Sequence, residues 1–120
     1  MTSDEMFDSS ARSKGDLAGV FEYDGEVGYF YLYACGNDAS QKVAGAIRIF
    51  SGEAEFKQAV IAVRWDGSEK RVGLSICGQI CAVFDADTRV KYGGNYSRGL
   101  QPDIPPEVLK AFVRERKGKA

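Results

Sequence analysis

Residues 21–31 read Phe-Glu-Tyr-Asp-Gly-Glu-Val-Gly-Tyr-Phe-Tyr, two alternating apolar runs that meet at Asp24-Gly25. Asp-Gly between alternating hydrophobics is a strong hairpin signal, because glycine accepts the positive φ of a strand-matched turn. The hairpin sets three acids, Glu22, Asp24 and Glu26, around its tip. Its first strand covers residues 20–23, with Phe21 and Tyr23 on one face. Its second covers 28–34, where aromatics at 29, 30, 31 and 33 predict that both faces are at least partly covered.

Period two continues downstream. Residues 43–50 place Val43, Gly45, Ile47 and Ile49 on one face and Ala44, Ala46, Arg48 and Phe50 on the other. Residues 58–65 align Ala59, Ile61, Val63 and Trp65. Asp66-Gly67-Ser68 is a second turn, so 71–76 returns antiparallel with Val72, Leu74 and Ile76 inward. Gly78-Gln79 turns the chain into a last strand at 80–84. Five to six strands with short connections predict an antiparallel meander, a sandwich or partly open barrel, since parallel pairing needs crossovers. Residues 85–106 read as a long polar loop. Pro105-Pro106-Glu107 then opens a helix whose Val108, Leu109, Phe112 and Val113 form a stripe suited to an open sheet face. The class is α+β. Residues 1–17, rich in Ser, Asp and Lys, read as a flexible arm before a single domain over 18–120.

A chain of 120 residues is long enough to bury roughly two-thirds of its unfolded surface. Its net charge of −1 gives no reason to expect binding to nucleic acid or membrane. The distribution is uneven: residues 1–26 carry seven acids and two bases, and residues 86–120 four acids and eight bases. Solvated surface is the plainer explanation of that imbalance. Residues 1–17 hold no apolar leader, and no run approaches the roughly 20 apolar residues of a membrane span. The cytoplasm is therefore the expected compartment, where Cys35, Cys77 and Cys81 stay reduced.

The chemistry is restricted. There is no histidine, which removes His-dependent triads, Cys-His dyads and most zinc sites. Cys77-Gly-Gln-Ile-Cys81 brackets a turn, where its two thiols are expected to face each other; a lone pair does not complete a tetrahedral metal site. Gly93-Gly94 lacks the strand-to-helix context of a phosphate loop. No metal or cofactor is expected. Carboxylates are the one open route to an enzyme: Glu22, Asp24 and Glu26 at the first turn, Asp85 and Asp87 after the last strand. Glu22 and Asp24 alternate outward and are most simply solvated. Residues 86–101 interleave Arg89, Lys91, Tyr92, Tyr96 and Arg98 among glycines, a composition suited to an acidic partner surface or a stacked ring. These five, with Glu22 and Asp24, are the candidate binding residues.

The 21–31 run, Ala46-Ile-Arg-Ile-Phe50, Val63-Arg-Trp-Asp-Gly67 and Cys81-Ala-Val-Phe-Asp85 together resemble a family of small bacterial proteins of unknown function with an F-E-D-D-G-x-x-G-Y-F-Y-A-type signature. The resemblance spans roughly residues 19–85. Tyr23 replaces an acid of that pattern, which removes one carboxylate from the turn. A bacterial source is implied, and no activity. The expected function is a non-enzymatic interaction module of immunity or regulatory type, bound to another protein or to itself through a sheet face or the long loop. The alternative is a small-ligand binder or carboxylate-dependent enzyme walled by Tyr29, Tyr31, Tyr33 and Trp65.

Overall fold

The hairpin expected around Asp24-Gly25 forms the centre of a four-stranded sheet. In the computed structural model, which describes residues 5–35, 41–52, 60–94, 96 and 104–117, β1 (Met6–Ala11), β2 (Leu17–Tyr23), β3 (Val27–Cys35) and β4 (Gln41–Ser51) pair in sequential order as sheet I. Sheet II follows with β5 (Ile61–Trp65), β6 (Arg71–Ile76), β7 (Gln79–Asp85) and β8 (Lys91–Gly93). Every pairing is antiparallel, as short connections require. One helix, α1 (Pro106–Lys117), ends the described chain.

Alternation sends Phe21, Phe30, Leu32 and Ile49 of sheet I into one cluster with Val72, Leu74, Ile76 and Phe84 of sheet II. The rings of Phe30 and Phe84 meet at 5.2 Å between centroids. Each such side chain contributes roughly 1.5–3 kcal/mol through burial. A smaller cluster on the opposite face of sheet II joins Val83 to Ile104, Val108 and Phe112. Phe112 lies over Gly73, where any β-carbon would stand 3.0 Å from the ring. Val108, Leu109 and Phe112 of the expected stripe thus cover the outer face of sheet II.

The described residues form eight strands where five to six are expected, and both additions lie in segments of polar composition. Residues 6–11, expected within a flexible arm, form β1. Met6 is buried, and the next inward positions, Asp8 and Ser10, find polar partners on sheet II. Val63 N–H donates to Asp8 Oδ2 at 2.8 Å, and Trp65 Nε1 donates to the Ser10 carbonyl at 2.8 Å. Beyond β1, Arg12 forks onto Asp16 with two 2.8 Å bonds, donates to the Glu69 carbonyl and lies 5.5 Å from the Trp65 ring centroid. Ser13 donates through its hydroxyl to Glu69 Oε1 at 2.6 Å. The margins of the two sheets are therefore joined by a polar seam. On the other margin, Tyr96 N–H donates to the Ile49 carbonyl at 2.6 Å and Lys91 Nζ to the Ala46 carbonyl at 3.3 Å.

The seam has an acid limit. Hydrogen bonding from Arg12 lowers the Asp16 carboxyl from 3.8 to about 2. A carboxylate depressed in the folded state stabilises above its unfolded pKa, and that stability is lost as pH falls through the folded value. The thermal midpoint should therefore drop as pH goes from about 4 to about 2. Solvent screening keeps the loss under roughly 1 kcal/mol, since Asp16 is 45% exposed. Melting curves across that window should show a shallower fall for Asp16→Asn than for the wild type; equal slopes would assign the acid lability elsewhere.

Two turns differ in mechanism from expectation. At the second Asp-Gly site, positive φ belongs to Glu69 (59°), and Asp66 organises the loop instead. Asp66 is 5% exposed; its carboxylate accepts from Lys70 N–H, Arg71 N–H and the Ser68 hydroxyl. At the third turn Cys77 and Gly78 both take positive φ, 55° and 82°, the pattern of a type I′ hairpin. Cys77 is exposed at its tip while Cys81 is buried among the core side chains, so the two thiols do not face each other. Burial pushes the Cys81 thiol up to about 12. A register shift between Leu32 and Tyr33 also turns Val43 away from Gly45 and Ile47, leaving it 51% exposed.

Candidate functional site

The cations and aromatics of the 86–101 segment do not converge. Asp85 Oδ1 accepts from the N–H groups of Asp87 and Thr88, and Arg89 closes that turn with φ 63° and a bond from Nε to the Ala86 carbonyl. Alternation along β8 then separates its neighbours. Lys91 reaches the margin of sheet I, Tyr92 packs with the helix cluster, and Tyr96 packs against the main core. Arg98 lies outside the described residues. The described start of the expected loop, residues 85–94, is a turn and a short strand, and Tyr92 and Tyr96 serve packing.

The carboxylates are dispersed too. Asp24 Oδ1 accepts from Glu26 N–H and Val27 N–H, each at 2.9 Å, and those bonds lower its pKa. Asp85 is opposed by burial, yet hydrogen bonds from Thr88 and Asp87 and the charge of Arg71 hold it below the usual range. Both are turn-forming groups. Among the described residues no cluster of three or more His, Cys, Asp or Glu side chains is placed to hold a metal. No described helix is long and apolar enough to cross a membrane. A shallow depression of about 440 Å³ near the first turn is lined by Glu5, Met6, Phe7, Glu22, Tyr23 and Asp24. Trp65, expected beside the tyrosines, is 7% exposed and belongs to the other sheet.

The outer face of sheet I is where chemistry gathers. Tyr29, Tyr31 and Tyr33 project from alternate positions of β3, on the side away from Phe30 and Leu32. Tyr29 and Tyr31 stack at 5.7 Å with an 18° interplanar angle, and Tyr31 and Tyr33 follow at 5.8 Å and 50°. All three are half-buried by one another and by flanking strands. Burial first, and then the charge of Glu22, raises the Tyr31 hydroxyl pKa. Cross-strand register arranges the face in rows: Glu22, Tyr29 and Arg48; Val20, Tyr31 and Ala46; Ala18, Tyr33 and Val43. Phe7, 53% exposed, extends the first row beside Glu22. The aromatic run had suggested both faces of β3 covered. Among the described residues, neither hydrophobic cluster includes these tyrosines, whereas α1 packs over the counterpart face on sheet II.

Among the described residues, Glu22 is the one predicted site residue on this face. From sequence, the tyrosine row reads only as a possible ligand wall. Its period-two spacing within the aromatic run was the available signal, and the register with Arg48 was not readable without the bulges in β4. A family model for uncharacterised proteins conserved in bacteria matches residues 1–103. No curated protein and no solved structure matches the chain.

Proposed function

We propose that this chain, which belongs to the uncharacterised bacterial family DUF2251, is a non-enzymatic protein-interaction module that works through the outer face of sheet I. The observation that carries the reading is the contrast between the two sheets. Read as a sandwich, the described residues cover one outer face with α1, while the other bears three mutually packed tyrosines that join neither hydrophobic cluster. Exposed apolar rows rimmed by charge mark interaction surfaces. Tyrosine supplies large contact area at low entropic cost. A regulatory or immunity-type role in the cytoplasm, without nucleic acid or cofactor, fits this surface. The ligand-binding or enzymatic alternative has less support: the tyrosines form a flat wall, and Asp24 and Asp85 are engaged in turns.

The full chain used as bait in lysate of its own bacterium, with crosslinking and mass spectrometry, tests this. The expected result is a protein partner whose recovery falls at least about tenfold with Tyr31→Asp and is unchanged with Arg89→Ala. Crosslinks confined to the 86–94 region, or a metabolite that raises the melting temperature with no Tyr31-dependent partner, would overturn it.

A further inference from the structure

We infer that the occupant of this face is a second copy of the same chain, docked across a two-fold axis that runs along β3. The inference rests on reading the face as an interaction surface and adds the identity of the partner. Its basis is charge placement. Glu22 on β2 and Arg48 on β4 both stand opposite Tyr29, at one height and on opposite flanks of the aromatic row. Both are exposed, and neither makes an ion pair among the described residues.

A two-fold rotation about an axis parallel to β3 preserves height and exchanges left for right. It lays the tyrosine row on its own copy and brings Glu22 against Arg48 of the partner subunit, with Arg48 against the partner's Glu22. The wider flanks agree. The depression on the β1–β2 side gathers Glu5, Glu22 and Asp24, and the β4 side carries Arg48 and Lys91, whose Nζ is held on the Ala46 carbonyl. Each acidic flank thus meets a basic one. A two-fold set across the strands would instead press Glu22 on the partner's Ala18 and Arg48 on the partner's Val43, desolvating both charges without compensation. The charges select one axis, and the contact is isologous, as closed dimers require.

Size sets the strength. Four strands and five residues of strand length present roughly 330 Å² per protomer, about two-fifths of the ~800 Å² of a standard interface. A patch of this size belongs to the weak, transient class, so the dimer forms only as concentration rises.

Sedimentation equilibrium of the full chain from about 10 μM to about 1 mM reads this directly. Wild type should pass from monomer to dimer. Arg48→Glu and Glu22→Arg should each weaken association at least about tenfold, since like charges then face each other twice. The combined Glu22→Arg, Arg48→Glu chain should recover to within about threefold of wild type. Both positions are exposed, and circular dichroism verifies the fold of each variant. A monomer at the highest concentration, or a double exchange no tighter than the single variants, would overturn the second-copy inference. A different protein captured through Tyr31 from lysate, with the chain itself monomeric, would do the same while leaving the interaction-module reading standing.

Discussion

Phe84→Ala should lower the unfolding free energy by about 3–5 kcal/mol, the largest single loss expected for a core side chain here. Phe84 is fully buried, packs at a tilt against Phe30 across the intersheet core, and sits where Gly45 of β4 leaves room for its ring. Truncation removes apolar contact from both sheets at once, and the neighbouring glycine has no side chain to move into the void. Stability at this chain length is typically ~5–15 kcal/mol, so the variant forfeits a large fraction of the total. Urea unfolding should show a lower midpoint with an unchanged slope. Phe84→Leu, which keeps most of the volume, should lose less than half as much. Equal losses for leucine and alanine would show that ring geometry, and not cavity volume, governs the site.

Gly93→Ala is the second. The backbone there holds φ at 81°, and a β-carbon would stand 2.4 Å from the Cys81 carbonyl oxygen, with Ile104 also close. That oxygen is held in place by Gly94 N–H at 2.8 Å. A left-handed conformation alone costs a non-glycine residue about 1–2 kcal/mol. The collision with main chain raises the total to roughly 3–5 kcal/mol, because β8 must move away from β7. Gly25→Ala separates the two contributions. Gly25 has φ 97° and open space around it, so alanine there should lose only the conformational part. Similar losses at both glycines would remove the steric argument at Gly93.

The central strands were legible because their inward positions alternate with large apolar groups. Val72, Leu74 and Ile76 in β6 and Ile61, Val63 and Trp65 in β5 leave little choice of face. The helix was equally legible from Pro105-Pro106-Glu107 and its stripe. β1 was not, because the polar side chains of Asp8 and Ser10 break its apolar alternation, and Asp8 makes sense there only beside the Val63 amide. β8 was hidden for a related reason: a three-residue strand has no period to detect. The candidate site was half-legible. Tyrosine is at home on either side of a sheet, so the row at 29, 31 and 33 announced itself without its direction. Cations and aromatics at 89–96 drew attention by composition, yet alternation on β8 sends them to different surroundings.

The polar seam between β1 and β5 also has a consequence for how the chain assembles. Asp8 and Val63 are 55 residues apart, as are Ser10 and Trp65. During synthesis the β1–β2 hairpin can close as soon as both strands emerge, but its outer margin must wait for β5. Loop closure over that separation is slow relative to hairpin formation. An apolar margin would invite mispairing with other nascent chains in the interval. The Asp8 carboxylate keeps it hydrated until the Val63 amide arrives, so a side chain that joins the sheets late also guards the unfinished edge.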